Sequence, residues 1–324
     1  MPDPLGTLPA PVTAAPPRPD VSVVIVSWNT RELLRACLAS VRAAAAELPG
    51  GAEVVVVDNA SRDGSPEMIR EAFPEVDLVC NTTNVGFAAA NNQGHRRTRG
   101  RYVLMLNPDT EGRPGFLRDL VAFLDAHPEA GAAGPRVFGS DGELQVSCYP
   151  LPTVGRELWR LLHLDRVHAH GTYPAGFFEA TTPRPVDSIL GACLMVRREA
   201  LDGADLLDER FFIYTEEIDL CRRLADRGWR LYWLPQVAIV HYGGASTAQV
   251  APRMFLELYR SKVQYFRKHF GRRGVWGYKA VLLAAALPRL GTAVVAMAVR
   301  PGEREKWRTL MANYSALVSH LPAL

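Results

Sequence analysis

Three positions could do metal or proton chemistry, and each follows an apolar run of strand character. Asp109 stands in Asn107-Pro108-Asp109-Thr110, directly after Tyr102 to Leu106; Asp58 follows Glu53 to Val57; His241 follows Val237 to Val240. Pro108 cannot donate to a sheet ladder, so its strand has to stop there and Asp109 projects from the carboxyl end. In open α/β sheets ligands bind at that edge. A carboxylate and an imidazole can hold a divalent ion that completes its shell with substrate phosphates. Magnesium prefers oxygen, so His241 favours manganese or a tolerant Mn or Mg site. Taken singly, Asp109 reads equally well as a turn residue and His241 as a satisfied surface histidine.

A second cluster is Tyr214-Thr215-Glu216-Glu217-Ile218-Asp219-Leu220-Cys221-Arg222-Arg223. Carboxylates at a helix N-terminus are stabilised by the macrodipole, and Asp219 can pair with Arg223 one turn on, which is a purely structural account. Like charges side by side also raise one another's proton affinity, which suits Glu216 or Glu217 to act as a general base. Asn84-Val85-Gly86-Phe87-Ala88, with Asn91-Asn92-Gln93-Gly94 after it, is a glycine-hinged, amide-rich segment able to approach phosphate or sugar. The chain holds no G-x-G-x-x-G, P-loop lysine, G-x-S-x-G or H-E-x-x-H, so dehydrogenase, P-loop and α/β-hydrolase chemistry lose ground.

The elements that have to position these residues alternate. Val21 to Ser27 reads as a buried strand, and Leu33, Leu34, Cys37, Leu38 and Val41 recur at helical spacing until Pro49-Gly50-Gly51. A second strand ends at Val57, and Pro66 opens another helix. Short strands near Val76 to Val79 and at 102–106, then a helix over 114–126, extend the rhythm of a mostly parallel sheet. Over 140–185 only a helix near 155–163 can be placed. Beyond it, Val186 to Leu190, Cys193 to Val196, Trp229 to Trp233 and Val237 to Val240 read as strands, and Glu216 to Asp226 as a helix.

The 324 residues are 48% hydrophobic and 22% charged, ordinary globular material. Five cysteines, scattered with no C-x-x-C pair, suit buried free thiols rather than a zinc site or disulfide framework. Residues 1–20 hold seven prolines without the n- and h-regions of a signal peptide, so a disordered leader and a cytoplasmic location are expected. Net charge is +3, yet residues 251–324 carry 13 Lys and Arg against 3 Glu, leaving −7 on the first 250. A basic end suggests an anionic surface, phospholipid before nucleic acid, for which no recognition motif is present. Helix 252–270 precedes an apolar stretch, Val275 to Val299, interrupted by Lys279 and Pro288-Arg289. Those breaks favour an interfacial helical hairpin over a membrane span, with a core-packed helix pair as the alternative.

The order of Val21 to Asn29, Val57-Asp58-Asn59-Ala60-Ser61, Asn84-Val85-Gly86-Phe87, Asn107-Pro108-Asp109, Gly191-Ala192-Cys193-Leu194-Met195, Glu216 to Cys221 and His241 resembles the inverting GT-A glycosyltransferases of family 2, rhamnosyltransferase-like branch. The resemblance spans residues 21 to about 245. It implies a Rossmann-like GT-A domain over 21–250, its donor half about 21–135 and its acceptor half about 136–250, with the helical tail beyond. It implies a dTDP or UDP sugar donor and a glycan or polyprenyl-linked acceptor at the inner membrane face. By the same likeness Asp58 meets the pyrimidine N3–H, Ser27, Trp28 and Asn29 border the base, and Asn84, Gly86, Asn91 and Asn107 complete the donor site. Asp109 is the metal-binding acid, His241 joins the metal, and Glu217 is the base, with Glu216 beside it. Asn107 stands where many relatives carry a further acid.

Two other readings compete. A nucleotidyltransferase also uses strand-end acids with a metal, and a non-catalytic sugar-nucleotide-binding scaffold could be held at a membrane by the basic tail.

Overall fold

A computed structural model describes residues 18–243 and 251–324. β1 (Val21–Ser27), β2 (Ala52–Asp58), β3 (Asp77–Cys80) and β4 (Tyr102–Leu106) form a parallel half-sheet in the order β3-β2-β1-β4. Residues 21–26 and 102–106 are buried throughout, as a strand covered on both faces demands. α1 (Arg31–Ala45), α2 (Ser65–Ala72) and α4 (Phe116–Ala126) cover one face, with Leu34, Leu38, Met68 and Leu120 in that core. α3 (Phe87–His95) lies against the other face. β5 (Thr110–Gly112) is a short strand at the far edge of the sheet.

The sheet continues as β11-β6-β12-β5 through β6 (Ala130–Phe138), β11 (Cys193–Arg197) and β12 (Arg230–His241). β11 runs antiparallel between β4 and β6, and β12 runs parallel to β6. The expected boundary at 135/136 therefore falls inside β6, and the two halves share one sheet. The strands expected at 229–233 and 237–240 are a single β12, irregular between Leu234 and Ala238 where Pro235 cannot donate. The strand expected at 186–190 is two: β9 (Arg184–Val186) joins β12, while β10 (Ser188–Ile189) pairs with β8 (Cys148–Tyr149) in a separate ribbon. β7 (Leu144–Gln145) hangs on β6. Four cysteines are buried as expected, but Cys80 is exposed.

Residues 1–17 of the expected leader lie outside the described residues. Arg18 to Asp20 belong to the domain: Arg18 donates to the Arg99 carbonyl, Pro19 accepts from the Arg101 amide, and Asp20 pairs with Arg101 at 2.8 Å.

α5 (Val154–Leu161) and α6 (Glu216–Asp226) carry the tail. α7 (Ala251–Val299) kinks at Gly271 and is followed by α8 (Arg304–His320). Lys262 Nζ on α7 donates to Glu157 Oε2 on α5 at 2.7 Å, both side chains buried. Burial alone would raise the Glu157 carboxyl, but Lys262 and Arg160 hold it below the usual range. Asp219 on α6 accepts from Arg223, Lys268 and His269. Val263, Phe266, Tyr278 and Leu282 share a core with Phe211 and Leu317. The tail is thus packed on the domain along one face, as in the alternative to a free hairpin, while Trp276, Leu287, Val294, Val295 and Val299 stay exposed. By length and composition alone α7 is apolar enough to cross a membrane.

Candidate active site

The carboxyl ends of the strands open onto a cavity of about 430 Å³. Its wall includes Trp28, Asn84, Gly86, Asn107, Asp109, Glu216, Glu217 and His241, so the structure brings these sequence-derived candidates together.

The sheet makes the Asp109–His241 pairing. β12 is antiparallel to β5 and sets His241 opposite Thr110, and the Tyr242 amide donates to the Asp109 carbonyl at 2.9 Å. His241 Nε2 then lies 3.4 Å from Asp109 Oδ1 and 3.4 Å from Asn107 Nδ2. His241 Nδ1 is 3.1 Å from Gln145 Oε1, and Gln145 Nε2 donates to the His241 carbonyl at 2.9 Å. With Nδ1–H donated to Gln145, the Nε2 lone pair faces Asp109, the tautomer a metal ligand needs. No group of three or more His, Cys, Asp or Glu able to hold a metal occurs among the described residues. The donor set fits a divalent ion as a two-ligand anchor, the remaining positions falling to phosphate oxygens and water.

Glu216 and Glu217 open α6 behind Tyr214 and Thr215, consecutive non-glycine residues with φ of 70° and 72°. Left-handed residues of this kind each cost roughly 1–3 kcal/mol and persist where the surroundings fix them. Gly191 shares the cavity wall with Glu217, and a Cβ there would make ordinary contact with Glu217 Cβ at 3.4 Å. Burial, and after it the neighbouring Glu217, holds Glu216 well above the usual carboxylate range, and its Oε2 has no partner. Burial also raises Glu217, but backbone amides and the Lys262 charge oppose that rise. Glu216 is thus held higher than Glu217.

Gly86 has φ +93°, and a Cβ there would meet the Phe212 ring and carbonyl oxygen at 2.7 Å. The Phe87 amide donates to that carbonyl at 2.6 Å, locking the start of α3 onto the 211–214 loop. Asn84 Oδ1 accepts from the Gly86 amide.

Four candidates stand outside the wall. Ser27 Oγ is bonded to Thr30 Oγ1 at 3.1 Å, Asn29 Oδ1 accepts from the Arg62 amide, and Asn91 Nδ2 donates to the Phe87 carbonyl. These bonds hold the turn after β1 and the first turn of α3. Asp58 lies behind Asn59, which is in the wall; its Oδ2 accepts from the Ser61 amide, and its Oδ1 is buried without a partner. Burial raises its pKa. An orphaned carboxylate oxygen one residue from the wall is an acceptor suited to one N–H.

Sequence reasoning missed Gln145, Phe212 and Arg253. Gln145 gives no signal in a stretch that yields no pattern, and Phe212 reads as core. Arg253 was counted only as tail charge, yet it lines the cavity, its guanidinium 5.3 Å from the Phe212 ring centroid.

Residues 22–202 match the family model described as Glycosyl transferase family 2. The chain is 29% identical over 241 residues to the N-acetylglucosaminyl-diphospho-decaprenol L-rhamnosyltransferase of Mycobacterium tuberculosis, covering 70% of this chain and 77% of that one. It is 24% identical over 200 residues to the dTDP-rhamnosyl transferase RfbF of Shigella flexneri, covering 61% and 62%. The mannosyltransferase PcManGT of Pyrobaculum calidifontis, solved with GDP-Man and Mn2+, matches with TM-score 0.55 at 21% identity over 94% of this chain and 87% of that one. The fold is GT-A.

Proposed function

Since the chain belongs to glycosyl transferase family 2, with rhamnosyltransferases among its relatives, we propose that it moves a sugar from a dTDP or UDP donor to a hydroxyl of a glycan or lipid-linked glycan, with inversion. Rhamnose is the first sugar to try, and the inner face of the cell membrane the expected place. The observation that carries this reading is one cavity wall holding Glu217 together with Asp109 and His241.

The residues divide the work. Asp58 offers an acceptor to the pyrimidine N3–H, and Asn84 and Gly86 border the donor. Glu217 takes the proton from the acceptor hydroxyl as its oxygen attacks the anomeric carbon, opposite the departing diphosphate. Glu216, when it carries a proton, can donate a hydrogen bond to a bound sugar. Asp109 and His241 would hold a divalent ion, which when bound supplies charge stabilisation for the leaving diphosphate. The 21–250 region is taken as the catalytic domain, with α7 and α8 as its membrane-facing support.

A thermal-shift panel of nucleotide sugars with and without Mn2+ tests the reading, because a ligand that binds the native state raises its stability. A dTDP or UDP sugar should raise the melting temperature, more so with Mn2+. Stabilisation by nucleoside triphosphates alone, with pyrophosphate release, would favour a nucleotidyltransferase instead.

A further inference from the structure

Ser261 stands inside α7 and is 3% exposed, at a position where alanine would serve the helix better and a buried hydroxyl needs a partner. A serine within a helix ordinarily bonds a carbonyl of its own preceding turn. Here Ser261 Oγ donates to another element, reaching the Ile213 carbonyl at 2.7 Å. Ile213 directly precedes Tyr214 and Thr215, the two left-handed residues that turn the chain into α6 and Glu217.

The same helix grips α6 farther on. Lys268, seven residues after Ser261, donates from Nζ to Asp219 Oδ2 at 2.8 Å and to Asp208 Oδ2 at 2.7 Å, and His269 Nε2 lies 2.8 Å from Asp219 Oδ1. Asp219 is fully buried two residues past Glu217, and its amide donates to the Thr215 carbonyl at 2.9 Å. Arg223, which also bonds Asp219, belongs to α6 itself. The strained pair is thus fastened by α7 on both sides, at the Ile213 carbonyl before it and at the Asp219 carboxylate after it. Backbone held in this region persists only where its surroundings fix it, and these bonds supply that hold.

We propose that Ser261, Lys268 and His269 are positioning residues for the base: α7 holds the 213–219 segment in the turn that brings Glu217 into the wall of the cavity. The tail helix is then part of the catalytic apparatus as well as a support. The inference rests on the reading of Glu217 as the base. Displacing a reacting group by 1 Å can cost on the order of 10²-fold in rate, so a modest release of this turn is enough to be seen in turnover.

The test compares the full wild-type chain with Ser261→Ala, Ser261→Thr and Lys268→Met by hydrogen–deuterium exchange and by release of dTDP from dTDP-rhamnose in the presence of Mn2+, water taking the acceptor's place and giving its proton to Glu217. Ser261→Ala should speed exchange of the 214–219 amides roughly fivefold or more while the melting temperature stays close to wild type. It should slow dTDP release about tenfold with KM for dTDP-rhamnose unchanged, and Ser261→Thr, which keeps the hydroxyl, should restore both. Lys268→Met should act in the same direction, and it leaves Asp208 paired with Arg210 and Asp219 with Arg223 and His269, so the variant keeps its fold. Because the effect runs through the base, Ser261→Ala placed in Glu217→Gln should slow release by no more than about twofold further. Unchanged exchange over 214–219 in both Ser261→Ala and Lys268→Met overturns the inference, as does an equal slowing of release by Ser261→Ala in the wild-type and Glu217→Gln backgrounds. No release by the wild type, or undiminished release by Glu217→Gln, would count against the donor or the base assigned above, and exchange alone would then decide whether α7 holds the segment.

Discussion

His241 Nε2 lies 3.4 Å from Asp109 Oδ1 because β12 is paired antiparallel with β5, bringing a late strand end to the tip of the Asn107-Pro108-Asp109 turn. Gln145 fixes the imidazole from behind. Asp109→Asn should abolish the Mn2+-dependent part of donor-induced stabilisation, and His241→Gln should reduce it. Gln145→Ala should weaken Mn2+ binding by about 10–100-fold, the usual cost of losing a partner that orients a ligand. Titration of Mn2+ followed by melting temperature reads all three, and an unchanged Mn2+ response in Asp109→Asn would exclude that anchor.

Glu216 is a buried acid with an unpartnered oxygen and a folded pKa raised by burial and by Glu217. The unfolded chain releases this proton near the ordinary value of 4.5, whereas the folded chain releases it only at a higher pH. The group's favourable contribution is therefore complete below that value and is lost as pH rises through the folded pKa. Glu216→Gln should raise the melting temperature at neutral pH and bring no gain below about pH 4. A gain of equal size at both pH values would show that ionisation is not the cause.

Gly86→Ala would force a methyl into the Phe212 carbonyl at a left-handed position. The Phe87–Phe212 hydrogen bond should break, freeing the start of α3 from the 211–214 loop. Stability should fall by about 1–3 kcal/mol, with weakened donor binding. Denaturant unfolding and nucleotide titration check this, and wild-type values for both would remove Gly86 from its hinge role.

The parallel half of the fold was legible because Val21 to Ser27, Glu53 to Val57 and Tyr102 to Leu106 are unbroken apolar runs ended by turn residues. β6 was not. Its Ala-Gly-Ala-Ala-Gly-Pro stretch lacks the β-branched residues that mark a strand, since small residues are needed where Trp229 and Ile189 press on the backbone at Gly131 and Gly134. In the site, Asp109, Glu216, Glu217 and His241 were legible as acids and an imidazole at element ends. Ser27, Asn29 and Asn91 stand outside the cavity wall, a placement that only the tertiary structure decides. Gln145 sits on the two-residue β7, too short for a period to show, and Arg253 sits at the start of α7 as one basic residue among several.

The tail bears on how membrane attachment is tested. Removing residues 271–324 would strip Tyr278, Leu282 and Leu317 from the core they share with Phe211, so truncation confounds attachment with unfolding. Trp276→Glu, Leu287→Glu and Val294→Glu act on exposed positions instead. Together they should abolish sedimentation with anionic phospholipid vesicles at an unchanged melting temperature. Undiminished sedimentation would show that this face does not meet the bilayer.

The central claim is that Glu217 removes the acceptor proton in the cavity that Asp109 and His241 border. Single-turnover transfer from a donor identified by thermal shift, compared between wild type and Glu217→Gln, tests it most directly. The account predicts donor binding within about twofold of wild type and a rate lowered by about 10²–10⁴, the range for loss of a general base. Wild-type transfer rates in Glu217→Gln would contradict it.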